Sequence, residues 1–163
     1  MKLRVLCAAA GLAGLLAGCA STSTTPPVQQ APEAAPPAPV ALSLPGEQRR
    51  LAELFRDTPV VVAMTPEGLM RVEVPLKFCF DKGRSVVKAP LAKVLDHVAP
   101  SARSLGMKAR VSAPADNGGG GPIAQDRAAS ARDYLVSKGV PVNHFAAVGP
   151  ARSESLEILV GKL

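Results

Sequence analysis

Residues 72–83 read VEVPLKFCFDKG. Val72, Val74, Leu76, Phe78 and Phe80 alternate with Glu73, Pro75, Lys77 and Cys79. A period of two predicts a strand with one buried face. Pro75 lies on the opposite phase and predicts an edge position or a bulge, because proline has no N–H for a sheet ladder. Asp81-Lys82-Gly83 supplies a turn. Upstream, Val60 to Met64 predicts a partner strand, joined through the turn Thr65-Pro66-Glu67-Gly68. Before it, Leu51, Leu54 and Phe55 predict a short amphipathic helix over 47–57.

Downstream the period changes to that of a helix. Leu91, Val94, Leu95 and Val98 predict one over about 89–104, with Pro100 placed to bend it. Met107, Ala109, Val111 and Ala113 alternate with Lys108, Arg110 and Ser112 in another strand. A glycine-rich loop follows. Ala124, Ala128, Ala131 and Leu135 mark a helix over 123–138, and Gly139 is its stop signal. Strands at 145–148 and around Leu156, Ile158 and Val160 complete the pattern. The order β-β-α-β-α-β-β is that of an α+β protein, a two-layer sandwich.

The N-terminus reads MKLRVLCAAAGLAGLLAGC over residues 1–19. Lys2 and Arg4 form a positive region, and Val5 to Leu16 a short apolar one. That run is too short to span a bilayer, which takes about 20 apolar residues. It ends in Leu16-Ala17-Gly18-Cys19, which resembles a bacterial lipoprotein box. The resemblance implies a signal peptide at 1–18 and acylation of Cys19. Several acyl chains on one residue anchor stably. Ala20, standing where Asp would favour retention in the inner membrane, implies the outer membrane. The implied location is a lipid anchor in that membrane with the domain in the periplasm.

After Cys19, residues 20–46 are rich in Pro, Ala, Ser and Thr, with Glu33 as the one charge. Such a stretch predicts an extended, disordered tether. At about 3.1 Å per residue it reaches roughly 80 Å. The predicted organisation is a signal at 1–18, lipidated Cys and tether at 19–46, and a domain at 47–163.

Composition narrows the function. The chain has 163 residues, no Trp, one Tyr and four Phe, so little aromatic surface is on hand to stack bases or sugars. The net charge of +6 includes Lys2 and Arg4, and the other cations are scattered. Nucleic acid is not an expected partner. Once Cys7 leaves and Cys19 is acylated, Cys79 is the one thiol left, so no intrachain disulfide is expected. Cys79 itself reads as a small apolar residue in a strand. His97 and His144 lack ligand-spaced partners, so no metal is expected. Ser85-Val86-Val87-Lys88 satisfies S-x-x-K, but neither S-D-N nor K-T-G accompanies it, and no enzyme activity or cofactor is expected.

The domain resembles the OmpA C-terminal-like, peptidoglycan-associated family over about residues 58–163. The resemblance rests on Phe78-Cys79-Phe80-Asp81-Lys82-Gly83, Leu95-Asp96-His97-Val98-Ala99, Ala115-Asp116, Arg127-Ala128 through Asp133-Tyr134-Leu135, Lys138-Gly139-Val140-Pro141 and Gly149. It implies a mixed sheet with helices on one face. It also implies non-covalent binding of the peptidoglycan stem peptide at diaminopimelate. Asp116 and Arg127 match the family's ligand pair, and Asn117 follows in the same loop. A guanidinium suits the ligand's carboxylate and a carboxylate suits its ammonium.

The sequence also departs from the family. Ala115 precedes Asp116 where Thr is usual, Gly118 to Gly121 fill a shortened loop, and Ser153-Glu154-Ser155 stands where a paired Arg is expected. A second reading therefore stands beside the first. In it the domain is an interaction module for other proteins of an envelope or secretion assembly, without affinity for peptidoglycan.

Overall fold

The structure, a computed structural model, describes residues 43–163 other than Leu105 and Arg152. The predicted signal, Cys19 and the tether to residue 42 lie outside the described residues. The elements in order are α1 (Leu44–Leu54), β1 (Val61–Met64), β2 (Met70–Pro75), α2 (Leu76–Cys79), α3 (Ala89–Arg103), β3 (Lys108–Ala113), α4 (Pro122–Ser137), a short 3-10 turn (Val142–His144), β4 (Phe145–Pro150) and β5 (Ser155–Gly161). The five strands form one mixed sheet in the order β1-β2-β5-β3-β4. Only β3 and β4 run parallel. The α+β class and the predicted strand and helix order hold, the helix predicted over 47–57 appears as α1, and the helical turn α2 is an addition.

The last strand in sequence is the middle of the sheet. Ile158 sits opposite Val72 on one side and Val111 on the other. Val160 stands likewise between Met70 and Ala109. These six side chains are buried and face the helices, which contribute Leu91, Leu95 and Val98 from α3 and Ala128, Ala131 and Leu135 from α4. The small residues of α4 let that helix lie close on β3 and β4. Its end is set by Gly139 at φ 84°. Gly139 N–H donates to Val136 O and Val140 N–H donates to Leu135 O, a Schellman motif that needs the left-handed residue where Gly139 stands.

Two expectations change. The strand predicted over 72–80 ends at Pro75, and Leu76–Cys79 form a helical turn. Pro75 pairs with Ser155 on β5, while the register with β1 closes at Glu73. The proline therefore ends an interior strand where β1 no longer covers it, so its nitrogen faces a locally unpaired edge, and no bulge forms. Leu76, Cys79 and Phe80 lie at i, i+3, i+4, a helical spacing hidden inside the alternation, and Cys79 and Phe80 are buried. Cys79 is thus a core residue of a turn. Burial pushes its thiol up to about 12, and Sγ sits 3.4 Å from the carbonyls of Val74 and Pro75.

The first helix starts at Leu44, before the boundary at 46/47 that the composition suggests. Ser43 caps it by accepting the Gly46 N–H, with Pro45 in its first turn. Leu51 and Phe55 face the core, whereas Leu54 is 48% exposed. Glu47 is buried at 5% exposure and ties α1 to α3. It accepts from Arg50 Nε at 2.9 Å and from Ser101 Oγ at 3.0 Å. Gln48 Nε2 donates to Val62 O at 2.9 Å, tying the same helix to β1.

Arg50 beside Glu47 holds its carboxyl below the ordinary carboxylate value, against the opposing effect of burial. A carboxylate depressed in the fold stabilises it above the unfolded pKa and ceases to as pH falls through the folded one. Glu47→Gln is expected to lower stability at pH 7 by about 1–2 kcal/mol. It should also lose less than the parent on acidification below the ordinary Glu range. Urea midpoints of both proteins at neutral and acid pH check this, and equal acid losses would remove Glu47 from the account.

Candidate functional site

The end of β3 and the start of α4 bring Asp116 and Arg127 together. Pro114, Ala115 and Asp116 follow β3, and the glycine loop 118–121 returns the chain to α4. Gly118, Gly119 and Gly121 take φ of 71°, 87° and 123°, values that a side-chain-bearing residue rarely adopts. Ala115 N–H donates to Gly119 O and Gly118 N–H to Ala115 O, so the loop closes on itself. The short connection suffices because the loop curls tightly.

Arg127 projects from α4 into the protein, with 0% of its side chain exposed. Its Nε donates to Arg84 O at 2.9 Å, and Nη1 donates to Pro114 O at 3.0 Å. Nη2 donates to Asp81 O at 3.2 Å and to Asp116 Oδ1 at 2.5 Å. The Phe80 ring lies beneath the guanidinium at 5.4 Å. The carboxylate that Arg127 holds in this structure is the chain's own.

Asp116 is held by both oxygens. Oδ1 faces Arg127, and Oδ2 accepts the Gly83 N–H at 2.7 Å. The side chain is still 31% exposed. Each carboxylate oxygen can accept more than one hydrogen bond, so capacity remains toward solvent. The Arg127 contact first, then the Gly83 N–H, hold the Asp116 carboxyl below its ordinary value, with Lys82 adding to the effect. Asp116 is thus an ionised acceptor, fixed in direction by a buried cation.

It opens onto a cleft of about 870 Å³. One wall is Ala115, Asp116, Asn117 and Gly118, and the other includes Phe80, Asp81, Lys82 and Lys88, with Glu154 also on the lining. The sequence singles out the Asp116 wall. It gives Asp81-Lys82-Gly83 only as a turn, although that turn supplies the Gly83 donor and the second wall. The quoted Phe80-to-Gly83 stretch is the signal that could have placed it there.

The other candidates are spent elsewhere. Lys88 Nζ pairs with Asp81 Oδ1 at 3.0 Å and donates to Lys77 O at 3.3 Å. Ser85 and Lys88 both precede the first turn of α3, so no helix sets them on one face. His97 packs edge-on against Phe55. His144 Nδ1 lies 2.9 Å from Ala102 O. Among the described residues no group of His, Cys, Asp and Glu could hold a metal ion. No helix among them is long and apolar enough to cross a membrane.

No family model and no curated protein matches the sequence. Solved structures do match the fold. The cell wall anchor of the T6SS from Pseudomonas aeruginosa aligns with a TM-score of 0.56 at 19% identity, over 72% of this chain and 98% of that one. A MotB-like protein from Desulfovibrio vulgaris aligns with a TM-score of 0.55 at 15% identity, over 74% of this chain and 97% of that one.

The chain has the OmpA-like fold. The mixed sheet with its helices on one face is the one that the sequence resemblance implies. At these identities the likeness is one of architecture. The chemistry of the domain rests on its own cleft.

Proposed function

We infer that the OmpA-like domain binds the peptide stem of peptidoglycan without catalysis, and that acylated Cys19 links this contact to the outer membrane. One observation carries the reading: a buried Arg127 fixes an ionised Asp116 at the mouth of an open cleft. Such a carboxylate is suited to an ammonium group, the feature that diaminopimelate offers on a stem peptide. Arg127 acts from beneath, orienting Asp116 and fixing both walls. Asn117 lies on the rim, where its amide can reach the stem backbone. The lipid anchor and the outer-membrane location rest on residues 1–20 alone.

The test is co-sedimentation of the full chain, purified in mild detergent, with diaminopimelate-type sacculi. The parent is expected to pellet. Asp116→Asn keeps acceptors for Gly83 and Arg127 but removes the charge, and should weaken pelleting by about ten-fold or more. Asn117→Ala should weaken it less. A parent that stays in the supernatant would sink the reading and turn the search to protein partners of the same cleft.

A further inference from the structure

A stem peptide held through Asp116 would leave its carboxylate without a receptor. Arg127 has no exposed side-chain surface, and four of its five N–H donors already serve Asp116 and the carbonyls of Asp81, Arg84 and Pro114. A ligand carboxylate cannot reach it unless these bonds break. The cleft lining offers three lysines, Lys77, Lys82 and Lys88. Two are engaged: Lys88 by Asp81 and Lys77 O, and Lys77 over the Phe78 ring at 4.9 Å. Among the described residues, Lys82 has no hydrogen-bond or ion-pair partner, and it is exposed.

Its place in the chain matters as much as its freedom. Lys82 is bonded directly to Gly83, whose N–H holds Asp116 Oδ2. The two charges therefore line one cleft, their residues joined through a single hydrogen bond, and Lys82 acts on the Asp116 carboxylate through its charge. An anion and a cation side by side complement an ammonium and a carboxylate on a single carbon. That is the zwitterionic end of a diaminopimelate residue whose second amine is not cross-linked.

We propose that Lys82 receives the carboxylate of this zwitterion and makes the protein select free-acid diaminopimelate over its carboxamide. The inference rests on the peptidoglycan reading and adds a specificity residue to it. Asp116 takes the ammonium and Lys82 takes the carboxylate. Amidation removes the negative charge and leaves only the first contact. Lys82 forms no bond within the fold, so its replacement should leave the unfolding midpoint in place.

The experiment is calorimetric titration of the full chain, in mild detergent, with two soluble stem tripeptides. One carries diaminopimelate with a free carboxylate, and the other carries the carboxamide. The parent should prefer the free acid by roughly ten-fold. Lys82→Met should bind the free acid as weakly as the parent binds the amide, with its affinity for the amide little changed. Lys82→Arg should keep the preference. Equal affinities in the parent, or a preference that survives Lys82→Met, would overturn the assignment to Lys82 while leaving stem binding intact. A parent that binds neither peptide, nor sacculi, would overturn both readings together.

Discussion

Replacing Arg127 with alanine is expected to cost about 3–5 kcal/mol of folding stability, the largest single-residue effect outside the hydrophobic core. The reason is the number of groups that lose their partner at once. The carbonyls of Asp81, Arg84 and Pro114 all accept from this guanidinium, and Asp116 pairs with it. These acceptors come from two segments far apart in sequence, the loop after α2 and the end of β3. Alanine leaves the buried Pro114 carbonyl and two half-buried carbonyls without their donor and opens a void above the Phe80 ring. Lysine should recover little, because a single ammonium cannot reproduce the planar fork that serves four directions. Methionine should fare no better, since it fills volume and donates nothing. Urea unfolding measures the loss, and amide exchange at Gly83 should quicken as the turn comes free. A cost under about 1 kcal/mol would mean that water takes over the donor positions, and that Arg127 does not organise the cleft.

The second large effect is expected at Ile158. Alanine there should cost about 2–5 kcal/mol, by lost burial together with the cavity left behind. Ile158 is fully buried on the middle strand, with Val72 on one side and Val111 on the other. Strands on both sides are fixed by the sheet, so the cavity has little freedom to collapse. The useful contrast is Val61→Ala on edge strand β1. Val61 is 50% exposed, and its truncation should cost well under 1 kcal/mol. Urea midpoints of the two variants read the difference. Near-equal losses would mean that β5 is not the centre of the packed core.

The helices and most strands were legible because their periods are long and unbroken. Leu91, Val94, Leu95 and Val98 repeat at helical spacing, and all four are buried on α3. The alternation of Leu156, Ile158 and Val160 likewise reads as a strand, and is one. The failure at 76–80 has a local cause. Five residues of apolar alternation also contain one helical turn's worth of apolar spacing, and short runs do not distinguish the two. Pro75, paired to β5 as its strand ends, resolved the ambiguity in favour of the turn. Leu54 shows the same limit on α1. Its spacing fits the apolar stripe, yet the helix lies at the side of the sheet and buries only a narrow strip.

By itself, then, the sequence determined the α+β class, the order of the main elements and the stop at Gly139, while Asp116 and Arg127 were paired by what the family resemblance implies. The class, the order and the stop are written in nearest-neighbour chemistry, as period and turn residue. Only the tertiary structure decided which of that pair meets the cleft. Arg127 points inward and Asp116 outward because three carbonyls from separate segments converge on the helix face that bears the arginine. It also decided that Lys82, a residue of an ordinary turn in the sequence, lines the same cleft as Asp116 with its charge unpaired among the described residues. Convergence of distant segments fixes burial and direction, and a one-dimensional pattern carries neither.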